Sequence, residues 1–482
     1  MQEIEAMTKT KYIYRHIARL TVEAETPLAI GTGKGSDILT DAPVAKDVNG
    51  LPYIPATSLA GVLRHAMGYV DNKTDGNPFG YISKPDDNDD SGRGSDIIFT
   101  DAVMVGKNGK ALDGIQDIDW TDDFYRYFQD LPVRQHVRID DKGTADNKNN
   151  GKFDNEVVYK GTRFVFEIEL MSDSDDKDSA DKHITDAINR LRYCTLRIGG
   201  GTRKGYGKLK IIKCLKASLD LSTPEDLEKY LKKSSSLAED WDGFTEVSEI
   251  ESLDDSKWTH YQLKLKPLDF FMFGSGMGDS DADNVYVSEL VVSQGESIDN
   301  NKRVLIPGSS VKGAIAHRTA YHYNKIKKRF AGEQKPEDIT GCNNEAVAAI
   351  FGKADGDKFT RGRILIDDII KGQVKAEADA DAGEKATPTA KTFFHNKIDQ
   401  FTGGTMDGAL FQEKVIYDKG TEYTFDIYVE NSALADDDIE KAFEQSLHDI
   451  CTGLLPLGGI TNRGNGIFTG TATKDNEPLW EK

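Results

Sequence analysis

Sulfur is scarce in this sequence: four cysteines, Cys194, Cys214, Cys342 and Cys451, are scattered over 482 residues. No CxxC pair seeds a zinc site and no disulfide framework can be drawn, so buried, inert thiols in a reducing cytoplasm are expected. Long apolar runs are missing as well, and with them any membrane-spanning segment. The opening MQEIEAMTKTKYIYRH has no apolar stretch of the kind a signal peptide needs, so export is not expected. Neither GxxxxGK[ST] nor HExxH occurs, which sets aside P-loop ATPase and zinc protease readings. Basic residues are outnumbered, 61 Lys plus Arg against 81 Asp plus Glu, for a formal charge of −20. Such a chain does not cling to nucleic acid through overall charge, so any RNA or DNA function must come from local basic patches.

What is present is repetition. The segment LPYIPATSLAGVLRHAMGY from Leu51 returns as RVLIPGSSVKGAIAHRTAY from Arg303. VRQHVRID around His136 recurs as TFFHNKID around His395, and YKGTRFVFEIEL from Tyr159 as YDKGTEYTFDIYV from Tyr417. GGGTRKGYG from Gly199 recurs as LGGITNRGNG from Leu457. His136 and His395, Gly161 and Gly420, and Gly205 and Gly464 all stand 259 apart, a spacing that marks a duplicated architecture.

Each half reads as strand, helix, strand, strand, helix, strand. KYIYRHIARLTVEAE alternates like a strand, and Gly31, Gly33 and Gly35 follow it. Thr57 or Ser58 is placed to cap a helix running to about Val70. DIIFTDA and VVYKGTRFVFEIEL read as strands; Ile184, Ala187, Ile188 and Leu191 make one apolar helix face; YGKLKIIKC closes the unit. The second half repeats the order, with Ile439, Ala442, Phe443 and Ile450 on its later helix. The expected class is α+β: two tandem ferredoxin-like (RRM-like, βαββαβ) domains with inserted hairpins. Residues 1–215 form the first, 216–258 an acidic, Ser-rich linker and 259–482 the second. Two stretches, PDDNDDSGRGSD from Pro85 and EADADAGEKATPTAK from Glu377, read as mobile insertions, and DDKGTADNKNNGK after His136 as a polar hairpin tip.

Helix N-termini opened by Thr57 and Ser58, and by Ser309 and Ser310, offer free N–H groups to a phosphate. Gly61 lets another backbone approach, and Arg64 supplies a charged fork. Gly200, Arg203 and Lys204 add a Gly-lined surface that Arg463 repeats in the second half, with Lys312 and Arg318 near the same path. His136 and His395 read as structural or stacking residues, because neither has a partner at metal-ligand spacing.

The ordered set IGTGKGSDILTDAPVAKDVNGLPYIPATSLAGVLR and GGGTRKGYGK, occurring twice, resembles the repeat-associated mysterious protein (RAMP) superfamily. More narrowly it is similar to the backbone subunits of type III (Csm- and Cmr-like) CRISPR effector complexes, here two fused in one chain. The resemblance implies a CRISPR RNA guide, a complementary target RNA, and other effector subunits as partners, among them other RAMP proteins and a large polymerase-like subunit. It also implies that the inserted hairpins act as thumbs in the guide and target duplex. Asp41 stands where such subunits place the aspartate that cleaves target RNA, with a divalent cation, Mg2+ or Mn2+, as the implied cofactor and Asp41 as its ligand. Asp37 is the nearest rival. Matching DAPVAK to ELVVSQ puts Glu289 at the second-half position, with Asp279, Asp281 and Asp283 just upstream as substitutes. A scaffold without chemistry is the alternative, and a precursor-processing enzyme a remoter one, disfavoured because no His-based acid and base pair is evident.

Overall fold

The computed structural model describes residues 12–33, 40–69, 76–81, 92–137, 151–173, 177–330, 332, 339, 341, 343–355, 358–376 and 388–480. Asp37, Gly35, Cys342, the tip at 138–150 and most of the two acidic insertions (85–91, 377–387) lie outside them. No described helix is long and apolar enough to cross a membrane.

The first sheet is antiparallel and is built on β1 (Tyr14–Ala24), whose alternate residues Ala18, Leu20 and Val22 are fully buried. The strand Ile97–Phe99 (β2) pairs with Arg163–Ser172 (β5), which pairs with β1, which pairs with Leu209–Asp220 (β6). A helix at Ala56–Ala66 (α1) and another at Lys177–Arg192 (α2) cover the apolar face. Ile184, Ala187, Ile188 and Leu191 are all buried there, as their 3.6-residue spacing predicts. Between β2 and β5 stands a separate two-stranded hairpin, Val133–Val137 (β3) with Lys152–Glu156 (β4).

The second sheet copies this order. Ile364–Ile366 (β10) pairs with Tyr423–Glu430 (β14), then Trp258–Pro267 (β7), then Phe468–Lys474 (β15), all antiparallel. Helices Gly308–Ile326 (α4) and Asp437–Cys451 (α6) lie over it, with Ile439, Ala442, Phe443 and Ile450 buried. Its hairpin is Thr389–His395 (β12) with Phe411–Tyr417 (β13). Both halves therefore carry the fourth, first, third, second strand order of a βαββαβ unit.

Two features depart from the sequence reading. Segment 216–258 is laid along the first sheet's other face instead of hanging between halves. Arg19 donates to the carbonyls of Ser236, Leu237 and Glu239, Lys233 reaches Glu167 at 2.7 Å, and Leu237 is buried with Val105 and Val165. Thr245–Glu246 even extends the sheet beside β6. The apolar residues and free carbonyls of the stretch outweigh its acidity, because a buried Arg19 needs acceptors.

The second departure is an additional hairpin, Ser288–Ser293 (β8) with Ser297–Ile306 (β9), in the second half. It docks on the first: Val292 is buried in the first half's core, and its N–H donates to the carbonyl of Lys160 at 2.9 Å. At the same joint Arg134 of β3 is buried between Glu289 of β8 and Asp368, bonding the latter at 3.1 Å.

Candidate nucleic-acid interface

Both N-terminal helix turns are closed by a carboxylate from elsewhere, not by the expected hydroxyls. Helix α1 starts at Ala56, two residues earlier than a Thr57 cap would require, and Pro55 stands at the N-cap without a side-chain bond. The Ala56 N–H donates to Asp101 at 2.7 Å, and in the second half the Gly308 N–H donates to Asp368 at 2.8 Å. Thr57, Ser58, Ser309 and Ser310 thus lie inside the first turns, with Thr57 and Ser310 exposed. Asp101 is exposed, whereas Asp368 is sealed in the joint, so the carboxylate that closes the turn is open to the surface only in the first half. Gly61 and Gly313 sit on exposed helix faces where an added Cβ would meet no atom within 4 Å. Nothing among the described residues calls for glycine at either position, although glycine costs a helix about 1 kcal/mol relative to alanine.

The two hairpins build the same constellation twice. His136 on β3 stacks on Phe153 of β4, ring centroids 5.1 Å apart, and Lys204 from the Gly-rich loop lies 4.2 Å over the Phe153 ring. Lys204 also donates to Asn155 at 3.1 Å. In the second half His395 stacks on Phe411 at 5.0 Å, Arg463 lies over Phe411 at 5.3 Å, and Arg463 bonds Glu413 at 2.9 Å. His395 bonds the same carboxylate at 3.0 Å. Both histidines face their phenylalanines as direct cross-strand partners. Burial first, then the Lys204 and Arg134 cations, pushes the His136 pKa down to about 4, so its ring is neutral at physiological pH. Its Nε2 shares a 3.0 Å hydrogen bond with the Tyr206 hydroxyl.

Asp41 lies exposed at the foot of the first of these hairpins. Its Oδ2 accepts from the Asp154 N–H at 3.0 Å, and its own N–H donates to Asp154 Oδ1 at 2.8 Å. The Thr40 hydroxyl donates to the same Oδ1 at 2.8 Å. The Asp41 amide is the largest cause holding the Asp154 carboxyl below its ordinary value, so this neighbour stays ionised. Among the described residues no group of three His, Cys, Asp or Glu side chains could enclose a metal ion. Two carboxylates, each accepting the other residue's backbone N–H, are hard oxygen donors of the kind that suits a Mg2+ or Mn2+ taking its remaining ligands from RNA phosphate and water.

Other expected contacts are spent inside the protein. Arg203 donates to the Gly362 carbonyl at 2.8 Å, and Lys312 donates to the Arg203 carbonyl. Burial, aided by Arg203 and Lys204, lowers the Lys312 pKa to about 8. Gly205 in the same loop, at φ +109°, has Asp368 so close that a Cβ would fall 2.3 Å from its carboxylate. The Gly200 N–H donates to the Ala29 carbonyl at 2.6 Å. Arg318 is ion-paired to Asp449, which also holds His322 at 2.8 Å, so it ties α4 to α6. Arg64 donates Nε to the Tyr69 carbonyl at 3.1 Å.

Glu289 requires a correction. It is 4 % exposed and pressed against Arg134, and burial raises its pKa to about 7. No RNA phosphate reaches it there. The residue that occupies Asp41's place in the second half is Asp283. Gly31 bridges Val44 and Gly274 bridges Tyr286, and each aspartate lies three residues before the bridged partner. A signal for this match was in the sequence: Gly31-Thr32-Gly33 and Gly274-Ser275-Gly276 are the proper anchors. Phe153, Phe411, Asp154 and Glu413 are functional candidates that sequence reasoning missed, although KFDNE and LFQEK follow the two hairpin tips with their phenylalanines 17 and 16 residues after His136 and His395.

The RAMP superfamily model matches residues 21–210 and 264–469. No curated protein matches the chain.

Proposed function

The chain belongs to the RAMP superfamily of CRISPR-associated RNA-binding proteins, and from that premise we propose that it is a fused, two-unit backbone subunit of a type III effector complex that cleaves target RNA at Asp41. The guide would be CRISPR RNA, and the other partners the remaining RAMP proteins and the large polymerase-like subunit of such a complex. The observation that carries the reading is Asp41 itself: an exposed carboxylate fixed by Asp154 beside the His136, Phe153 and Lys204 cluster.

RNA brings its own nucleophile. In-line attack of a ribose 2′-oxygen on the adjacent phosphorus forms one P–O bond and breaks the bond to the 5′-oxygen, leaving a 2′,3′-cyclic phosphate and a 5′-hydroxyl. The 2′-proton leaves to the Asp41 carboxylate or to water, and water returns a proton to the departing oxygen. A cation held by Asp41 and Asp154 would supply charge neutralisation at the phosphate. Stacking and cationic groups of the hairpin would hold the nucleotides on either side.

The test is Asp41→Asn in the assembled, guide-loaded complex. Asparagine keeps the acceptor for the Asp154 N–H and removes the charge. Target RNA binding in a mobility-shift assay should persist while one cut slows about a hundredfold or more. Undiminished cutting at every position would overturn the assignment of Asp41 as a cleaving residue.

A further inference from the structure

We propose that a cavity on the outer face of the second sheet binds an organic cation through a guanidinium or primary ammonium group. The cavity measures about 410 Å³ and lies between the end of segment 216–258, the start of β7, Tyr428 of β14 and the turn after β15. Residues 254–260 and 475–476, which supply most of its wall, fall outside the range that the RAMP model matches. Asp254, Asp255 and Asp475 line it, and no lysine or arginine is among the described residues that do. Asp255 is engaged by the Lys257 N–H at 3.1 Å and the Thr195 hydroxyl at 3.3 Å, and Asp475 Oδ1 takes the His260 N–H at 2.9 Å. The Asp254 carboxylate is exposed and bonds no described residue.

The rest of the wall is aromatic and also short of donors. His260 stacks on Tyr428, ring centroids 4.5 Å apart and 10° from parallel. Burial works against the Asp426 charge, but hydrogen bonds from His260 Nε2 and Gln262, both at 2.9 Å, hold that carboxyl below its ordinary value. An ionised Asp426 only accepts, so Nε2 carries the imidazole proton and Nδ1 is left as a bare acceptor. Tyr428 is 5 % exposed and lines the cavity, yet its hydroxyl bonds no described residue, a state that calls for a partner. The first half shows what such a place takes when it is filled. Glu167 and Glu169, 259 positions before Asp426 and Tyr428, are met by the Lys233 ammonium at 2.7 Å and the Tyr230 hydroxyl at 2.8 Å, both from segment 216–258. At Tyr428 no described donor takes that place. Carboxylates and bare acceptors beside an aromatic stack fit a cation with several N–H donors, and the same charge turns a phosphate away. The cation is either a basic side chain of a partner subunit or a free polyamine.

Calorimetric titration of the full chain with argininamide and with spermidine, at constant ionic strength, tests the site and separates the two sources. At least one should bind with one-to-one stoichiometry. Asp254→Asn with Asp475→Asn, which keeps an acceptor for the His260 N–H, should weaken it about tenfold or more, and Tyr428→Phe about threefold. Asp254→Asn alone alters an exposed side chain without a bonded partner, so it leaves the fold intact and should show part of the loss. Tighter binding of argininamide assigns the cavity to a partner's side chain, and tighter binding of spermidine to a polyamine. If neither cation binds, or if both bind the three variants as well as wild type, the inference is overturned. Equal competition by Mg2+ at the same ionic strength overturns it too, since any acidic surface would then serve. Binding of adenosine 5′-monophosphate in place of the cations does the same, and makes the His260 and Tyr428 stack a platform for a base.

Discussion

Glu289 and Asp368 share one cation, Arg134, in a setting with almost no solvent. Two carboxylates against one guanidinium leave a surplus negative charge, and burial makes it expensive, so both pKa values are raised, Glu289 to about 7. The sign of the pH dependence follows. Below the unfolded value of 4.5 both states hold the proton; from there to about 7 the folded state holds a proton the unfolded chain has lost. Stability therefore falls as pH rises through that window and levels off above it. Neutral His136 acts in the opposite direction up to its ordinary value of 6.5, so the Glu289 share is read by difference: the urea midpoint of wild type relative to Glu289→Gln should decline from pH 5 to pH 8, and a constant difference would place the proton elsewhere. Gly61 gives a second residue-level test. Its Cβ position is open, so Gly61→Ala should raise helix stability by about 0.5–1 kcal/mol while weakening RNA binding. A stabilised variant with unchanged affinity would show that the glycine serves no close approach of RNA.

The hairpins are the elements that carry the interface, and the second is described to its tip. Phe401 there is 96 % exposed, Phe394 68 % and Ile398 60 %, an apolar end that nothing among the described residues covers. Phe401→Ser should leave the unfolding midpoint in place, because no burial is lost, and should lower affinity for a guide and target duplex by the about 1–3 kcal/mol typical of a base-stacking aromatic. Equal affinity would remove the tip from the RNA path. Periodicity made much of this fold legible: α2 and α6 bury the residues their 3.6 spacing selects, and the strands alternate. The hairpin β8–β9 was not legible, because its apolar residues are satisfied by the other half, not by neighbours in sequence. For the same reason Glu289 was misread. Its meaning depends on Arg134, 155 positions earlier, and on Asp368. The His136 and His395 motifs were legible as a pair, but their stacking partners lie across a hairpin tip, where spacing alone does not show the register.

A net charge of −20 would repel RNA from a uniform surface, so the whole molecule must present its cations selectively. Several are spent holding the halves together: Arg134, Arg203 and Lys312 at the joint, with Arg197 bonding Asp367 at 2.6 Å. That cost in binding charge makes sense if the two hairpins must keep a fixed separation along one RNA. Arg134 is the test. Arg134→Met leaves Glu289 and Asp368 buried without their cation, a loss of about 3–5 kcal/mol that falls on the contact between halves, not on either core. Wild type should therefore unfold in one calorimetric transition, and the variant in two, the halves having come apart. Arg134→Met with Glu289→Met should restore part of the lost stability, since it removes one of the two stranded carboxylates and leaves Asp368 with the Gly308 N–H as its partner. A single transition at the wild-type temperature in Arg134→Met would mean that Val292 and the backbone bonds hold the joint unaided, and that the ionic cluster contributes nothing to the spacing of the two hairpins.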